Sequence, residues 1–487
     1  MFNYVNHILI LLSFLLLASV LLSKISAKTG IPTSIVFLGI GMLAGSDGIG
    51  GFGFENYFIA QTFGNITIAL ILFYGGLGTD IRKVKGAILK AISMSTVGVF
   101  FSSILIGYFV SYFTKFSLVE GILIGSIISP TDAAAIFAIL KSRKIKLKHK
   151  LAEILELESG TNDIISFSLM MGCIKFLRHD GSWKLSTEIF LFIKEMSIGG
   201  GIGIILGYSL VFLINRVNLM DESLYPGLPL SGVLLGYCIS TYFHGSGFLC
   251  VYVAALIMGS NNILHKESLK KFFEGLMWLM EIVMFLLLGL LVFPKKFVSV
   301  YNDGVVITLI VTLFARPFGV FIALLFSRKA DFRQKIFLSW GGVRGAASII
   351  FATYPILNSV NDSYNIFNII FFVVILSSLT QGTTFTVIAK ILGLVKEDKN
   401  LEKISIEDEE VKNETITLTI PPGSKISGQK ILNLGLPSGV LILYIERNKI
   451  FINPNGKTKV FVGDKLHIFL TGKDQISEIK KILEGSS

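Results

Sequence analysis

The chain has 487 residues, 52% of them hydrophobic and only 16% charged, with a mean hydropathy of +0.71. Soluble globular domains run at roughly 45–50% apolar and about 25% charged residues, so this composition excludes an ordinary soluble fold and indicates an integral membrane protein. The net charge of +11 does not mark a nucleic-acid binder, because Lys and Arg sit in short connectors between apolar runs, the distribution of the positive-inside rule.

A hydrocarbon core about 30 Å thick needs about 20 helical residues. Apolar runs near that length place thirteen expected spans at 7–23, 31–45, 62–78, 88–113, 118–140, 152–176, 192–214, 228–243, 246–260, 275–293, 304–327, 333–357 and 365–390. The first run has no basic region before it, which reads as a retained span rather than a cleaved signal. Tyr242, His244 and Gly245 either separate spans 8 and 9 or bend a single span. Basic connectors follow the odd-numbered spans: Lys24 and Lys28; Arg82, Lys83 and Lys85; Lys141 to Lys150; Arg216; His265 to Lys271; and Arg328 to Lys335. The alternate connectors, among them the stretch around Trp183, are poorer in positive charge. The N-terminus is therefore expected outside and the C-terminus in the cytoplasm. Cys173, Cys238 and Cys250 lie in or beside apolar runs without ligand spacing, and read as buried small hydrophobes rather than a disulfide framework or a zinc site.

Two spans carry polar breaks. Span 5 holds Ser129-Pro130-Thr131-Asp132 at its middle, where an unbroken helix in lipid favours neither proline nor carboxylate. Span 12 holds Trp340-Gly341-Gly342-Val343-Arg344-Gly345, seven spans later and so in the opposite orientation. Paired interrupted segments in corresponding halves point to an inverted-repeat transporter with its site where the breaks meet. Glycines at Gly39-Ile40-Gly41 and Gly199 to Gly207 are expected to serve close helix packing instead.

Asp132 has two readings: a cap for the half-helix that begins near Thr131, or a partner for a cation among side-chain and backbone oxygens. Asp163, beside Asn162 and deep in span 6, must lower the cost of burial by taking a proton or binding a cation. Those options exclude each other, so one such group exposed alternately to both sides exchanges a proton for an alkali cation. Glu158 is expected to form a structural ion pair with Arg316. Arg344 either neutralises helix ends at the break or pairs with a cavity carboxylate. Weaker candidates are Tyr74, Thr79 and Asp80 with Arg82, His244 as a cavity or interfacial residue, and Gln381-Gly382-Thr383 in helix packing. Nothing reads GxxxxGK[ST], so the chain carries no ATP-binding loop of that type and is not expected to be an enzyme.

After Lys390 the composition changes. Residues 393–414 read as an acidic linker, and 415–487 as a small, mostly β cytoplasmic domain. Strands are expected at 415–420 and 440–445, with two more within 459–470 around Gly463-Asp464. Turns fall at Pro421-Pro422-Gly423 and Asn453 to Gly456, and a helix at 475–483.

With these residues in view, the chain resembles the monovalent cation/proton antiporter-1 family, in its bacterial branch with a C-terminal regulatory domain. Ile128 to Asp132 resembles the family's Ser-x-Thr-Asp segment, Glu158 with Asn162-Asp163 its Glu and Asn-Asp, Ser339 to Ala346 its second unwound helix, and Arg316-Pro317 its buried arginine. The resemblance implies a dimeric inverted-repeat transporter of residues 1–392 in the cytoplasmic membrane, with a six-helix core moving against a dimerisation part. It makes Asp163 the residue that carries the ion and the proton, Thr131, Asp132, Ser159 and Asn162 the ligand shell, and Glu158 with Arg316 a structural pair. The Asn-Asp pairing implies electroneutral exchange of potassium or sodium for protons. Relatives commonly have an acidic residue before the Gly-Gly pair of span 3, where this chain has Phe73-Tyr74-Gly75-Gly76.

The tail resembles the C-terminal lobe of regulator-of-potassium-conductance modules at Ile420 to Ser424, Leu434 to Pro437 and Val462-Gly463-Asp464. That lobe implies a small regulatory ligand on 415–487 or none, and no other cofactor. The rival functions are a cation channel gated by the tail and a non-transporting membrane sensor.

Overall fold

A computed structural model describes residues 2–29, 32–142, 145–178, 184–325, 331–396, 415–421, 424, 426–436, 440–447, 450–469 and 479. The chain divides into two compact units, Met1–Lys396 and Glu397–Ser487. The first is helical: α1 Phe2–Thr29, α2 Thr33–Ala44, α3 Tyr57–Gly78, α4 Ile81–Ser93, α5 Val99–Phe113, α6 Leu118–Ile128, α7 Ala133–Ser142, α8 Leu151–Arg178, α9 Leu185–Arg216, α10 Gly227–Tyr242 and α11 Gly247–Ser260. It continues with α12 Lys266–Leu290, α13 Phe297–Ile310, α14 Arg316–Ala323, α15 Phe332–Trp340, α16 Ala346–Phe351, α17 Thr353–Leu357, α18 Ser363–Ser377 and α19 Thr383–Ile391.

Each expected span coincides with helix. Single-turn π segments, Met94–Gly98, Val311–Ala315 and Ser378–Gly382, join α4 to α5, α13 to α14 and α18 to α19 into continuous rods. The middle one immediately precedes Arg316-Pro317. A wider turn there accommodates a proline that has no N–H to donate and whose ring crowds the preceding turn. Spans 8 and 9 are two helices, turned at His244, which lies in the left-handed region at φ 57° and is exposed.

Six helical stretches among the described residues are long and apolar enough to cross a membrane: Tyr57–Gly78, Val84–Phe113, Ser186–Arg216, Lys266–Leu290, Pro294–Ala323 and Ser363–Ile391. Their outer faces are apolar. Ile193, Ile205 and Phe212 on α9, with Leu235 and Tyr242 on α10, are exposed, which in water would be an aggregation surface and in lipid is the stable arrangement.

Glycines bring backbones together. A Cβ on Gly199, Gly203 or Gly207 of α9 would meet the backbone of Ser246, Cys250 or Ala254, and Gly41 of α2 lies against Gly289 of α12. Gly39, expected to pack in the same way, has open space beside it. Of the cysteines, Cys173 and Cys250 are buried as expected, but Cys238 is exposed because its position on α10 faces away from the neighbouring helices.

The second unit contains a four-stranded antiparallel sheet, β1 Thr415–Thr419, β2 Leu441–Arg447, β3 Ile450–Ile452 and β4 Lys465–Phe469, in the order β1-β4-β2-β3. Leu418, Ile442, Ile445, Leu466 and Ile468 line its core. Only one strand forms within 459–470; Lys459 makes an isolated bridge to Lys430 instead, because the backbone around it bonds the loop at 428–431. The short β3 was not foreseen. Arg447 holds Asp464 through two 2.7 Å hydrogen bonds. Burial raises the Asp464 carboxyl, but these bonds and the Phe461 N–H outweigh it and leave it below the usual range. The Arg143, Lys144, Arg328 and Lys329 connectors, Trp183, the acidic linker from 397 to 414, the Pro422-Gly423 turn, Pro437 and all of the 475–483 helix except the buried Ile479 lie outside the described residues.

Candidate functional site: a cavity at two broken helices

Pro130 has no N–H to continue α6, and Asp132 begins the next half-helix by accepting from the Ala135 N–H at 3.1 Å. The capping role of Asp132 is therefore present, and its carboxylate also lines a cavity. In the second break, Gly341 to Gly345 separates α15 from α16. The two breaks meet: the Asp132 N–H donates to the Val343 carbonyl at 2.8 Å. A Cβ on Gly345 would fall 2.5 Å from the Asp132 side chain, so glycine is what permits this approach.

Arg344 settles between its two expected roles. Its guanidinium donates to the Ser129 carbonyl at 2.7 Å and the Pro130 carbonyl at 3.3 Å, the groups left without helical partners at the end of α6. A cation there complements the negative end of a half-helix. The Ser378 hydroxyl donates to the Arg344 carbonyl at 2.8 Å. Gln381 accepts from Ser377 at 2.6 Å and donates to the Trp340 carbonyl at 3.2 Å, so the expected packing role of Gln381 extends to fixing the second break.

The Asp132 break also binds α8. Asn162 donates to the Thr131 hydroxyl at 2.7 Å, and the Ser159 hydroxyl donates to the Thr131 carbonyl at 2.7 Å. On the same helix Glu158 meets Arg316 at 2.6 Å and 2.8 Å with both side chains buried, as expected from sequence. Asp163 is also buried, but among the described residues its Oδ1 has no hydrogen-bond partner. Neither does the Asn162 Oδ1. These oxygens leave acceptor capacity that a proton or an oxygen-seeking cation would fill.

Asp163 opens onto two cavities. One, about 70 Å³, is lined by Pro130, Thr131, Asp132, Ser159, Asp163 and Glu281 with apolar residues of α3, α12 and α16. The other, about 370 Å³, shares Ser159, Asp163 and Glu281 and extends to Tyr74, Glu156, Tyr252 and Glu274. Among the described residues, neither lining contains Lys or Arg.

Glu281 was missed in the sequence: it is a carboxylate inside the apolar run 275–293, as Asp163 is in its own, but it has no polar neighbour such as Asn162. Tyr74 lines the larger cavity, while Phe73 is buried with its ring 4.7 Å from that of Phe273. His244 is at an exposed turn and lines neither cavity. Asp80 caps α4 and pairs with Arg82 at 3.2 Å, and no group of three or more metal-ligating side chains occurs among the described residues.

This architecture has counterparts. Residues 416–484 match the TrkA-C domain. The K(+)/H(+) antiporter NhaP2 of Shewanella oneidensis is 34% identical over 468 residues, covering 95% of this chain and 81% of that protein. The K(+)/H(+) antiporter NhaP of Alkalimonas amylolytica is 35% identical over 391 residues, 80% of this chain and 67% of that protein. The solved structure of the sodium proton antiporter MjNhaP1 from Methanocaldococcus jannaschii superposes with a TM-score of 0.67 at 21% identity, covering 79% of this chain and 99% of that one, a likeness of fold. Residues 12–391 match the family described as "Sodium/hydrogen exchanger, transmembrane", and the chain belongs to that family.

Proposed function

We propose that the protein is a secondary antiporter that exchanges a monovalent cation for protons by alternating access, with Asp163 as the exchangeable charge. The observation that carries this reading is a buried carboxylate with an unpartnered oxygen, reached from two cavities, at the crossing of two broken helices. A proton and an alkali cation compete for the same oxygens, so loading one requires releasing the other. Thr131, Asp132, Ser159 and Asn162 form the surrounding oxygen shell, and Arg344 and the Glu158–Arg316 pair keep that shell in place. With one group exchanging one proton for one cation, transport is electroneutral. Potassium is favoured over sodium, because the relatives at 34% and 35% identity are named K(+)/H(+) antiporters.

The protein acts in the cytoplasmic membrane as a homodimer surrounded by lipid, with its N-terminus outside. Residues 415–487 regulate it from the cytoplasm, through a small ligand where one binds. The larger cavity reaches Tyr74 near the end of α3 and Glu274 near the start of α12, the ends beside the basic connectors, which makes it the cytoplasmic entrance.

The test is dye-reported proton movement in oriented vesicles on addition of each alkali cation. Wild type responds to potassium, and Asp163→Asn abolishes the response; silence of the wild type toward every alkali cation sinks the exchanger. A channel would keep its conductance in Asp163→Asn. Clamping the membrane potential leaves an electroneutral rate unchanged.

A further inference from the structure

Every side chain so far assigned to the ion belongs to α8 or to the Asp132 break, which leaves the opposite wall without a role. That wall is α12, which packs against α2 and α3. It places one carboxylate there, Glu281, which lines both cavities together with Asp163.

Glu281 lies fifteen residues after Lys266 in α12, about 22 Å along the helix axis at 1.5 Å per residue. Asp163 lies twelve residues after Leu151 in α8, about 18 Å by the same measure. Both are therefore deep in a hydrocarbon layer about 30 Å thick. Glu281 is 7% exposed and Asp163 9%, and Glu281 makes no side-chain hydrogen bond or ion pair among the described residues. Among the described residues, the buried arginines near the breaks are already engaged, Arg316 by Glu158 and Arg344 by the α6 carbonyls. Among the described residues, the titratable groups that line the two cavities with Glu281 are Asp132, Asp163, Glu156, Glu274, Tyr74 and Tyr252, with no cationic side chain among them.

A buried carboxylate without a protein cation beside it is stabilised by a proton or by a bound ion. Two such carboxylates facing one cavity of about 70 Å³ give an alkali cation oxygen ligands from opposite walls, while Thr131, Asp132 and Ser159 furnish the rest.

We propose that Glu281 is a cation-ligating residue of the exchange site, supplied by α12 across the cavity from Asp163. The inference rests on the antiport reading above and deepens it. Because α12 is separate from the broken helices, any movement between the two groups alters the Asp163–Glu281 separation. Glu281 then contributes fully in one access state and less in the other, so that cation affinity differs between the two faces. The one-for-one stoichiometry is kept because Asp163 and Glu281 together hold one proton in the cation-free state and release it when one cation binds.

The experiment uses the full chain in oriented vesicles, with potassium and sodium titrated from the face of the larger cavity. Glu281→Gln raises the half-saturating potassium concentration about tenfold or more, equivalent to at least one decade in affinity, while the maximal rate stays within about twofold. Glu281→Asp falls between the two. In detergent, potassium raises the melting temperature of wild type but not that of Glu281→Gln, whereas the melting temperature without potassium is kept.

A lowered maximal rate with unchanged half-saturation and unchanged potassium-induced stabilisation would assign Glu281 a structural role and overturn the proposal. If Glu281→Gln fails to accumulate, Glu281→Asp is read by the same two criteria. An inactive wild type defeats the antiport reading itself, while an active wild type matched by an unaltered Glu281→Gln defeats only this inference.

Discussion

At the scale of single residues, the Glu158–Arg316 pair and Asp163 show two ways of keeping charge in a membrane. Glu158 and Arg316 are 0% and 3% exposed and meet at 2.6 Å and 2.8 Å. The pair is expensive to bury, but removing one member leaves the other uncompensated, at a cost of about 3–5 kcal/mol. Glu158→Gln and Arg316→Met should each lower stability by about that amount, measured by thermal melting in detergent, whereas the double variant loses much less than the sum. A double variant whose loss equals the sum would show that the two do not act as a pair. Asp163 has no such partner for its Oδ1 among the described residues, which is what the proposed exchange role requires.

These differences were legible in the sequence for Asp163, Asn162, Thr131, Asp132, Glu158 and Arg316, because each lies in or beside a polar cluster or a proline inside an apolar run. Glu281 has no flanking Gly, Pro or polar neighbour to announce it, and its role depends on which helix faces it, which periodicity does not reveal. The same reason left Arg344 with two readings, since only the crossing of the breaks places it on the Ser129 and Pro130 carbonyls.

At the scale of elements, the site depends on two interrupted helices approaching more closely than side chains normally allow. Gly345 has φ −131° and ψ −161°, an extended conformation open to any residue, so a substitution there is resisted by contact rather than by backbone strain. A Cβ would fall 2.5 Å from both the Cβ and Oδ2 of Asp132. Gly345→Ala should therefore cost about 1–3 kcal/mol through overpacking. By displacing Asp132 it should also lower apparent cation affinity about tenfold or more, as loss of ligand-positioning contacts does at other ion sites.

Gly75→Ala is the control, because Gly75 has open space where its Cβ would lie. Equal half-saturating cation concentrations for the two variants would refute the steric argument. The breaks themselves were readable from Pro130 and the glycine run at 341–345. The three π segments were not, because a π turn keeps the apolar pattern of a helix and differs only in its hydrogen bonding. Strand β3, with three residues, is too short for alternation to be counted.

At the scale of the whole molecule, the question is how much of the chain exchange requires. All site residues and both breaks lie within Met1–Lys396, and the last residues of that unit are tied to the connector that follows the half-helix α7. The Lys148 N–H donates to the Leu394 carbonyl at 2.9 Å, the Lys396 N–H donates to the Lys146 carbonyl at 2.9 Å, and Leu147 bridges Val395 in antiparallel register. The Lys148 ammonium adds a 3.0 Å bond to the Gly393 carbonyl. Leu147 and Leu394 are buried in one apolar cluster with Ile136 and Leu140 of α7 and Phe337 of α15, so the exit from α19 is packed into the same layer as the ends of both broken helices.

A chain ending at Lys396 keeps this clasp and should exchange cations with half-saturation within about twofold of wild type, losing only the proposed control by the tail. A chain ending at Ile391 loses the backbone pairing and the buried Leu394, at a cost of about 2–5 kcal/mol for the apolar side chain alone. Its α7 end is then held less firmly, so proton exchange in the same vesicle assay should fall and amide hydrogen exchange at 145–150 should rise. Equal activity and equal protection in the two truncations would show that the clasp does not support the site. Loss of exchange in the chain ending at Lys396 would instead place an essential element beyond that residue.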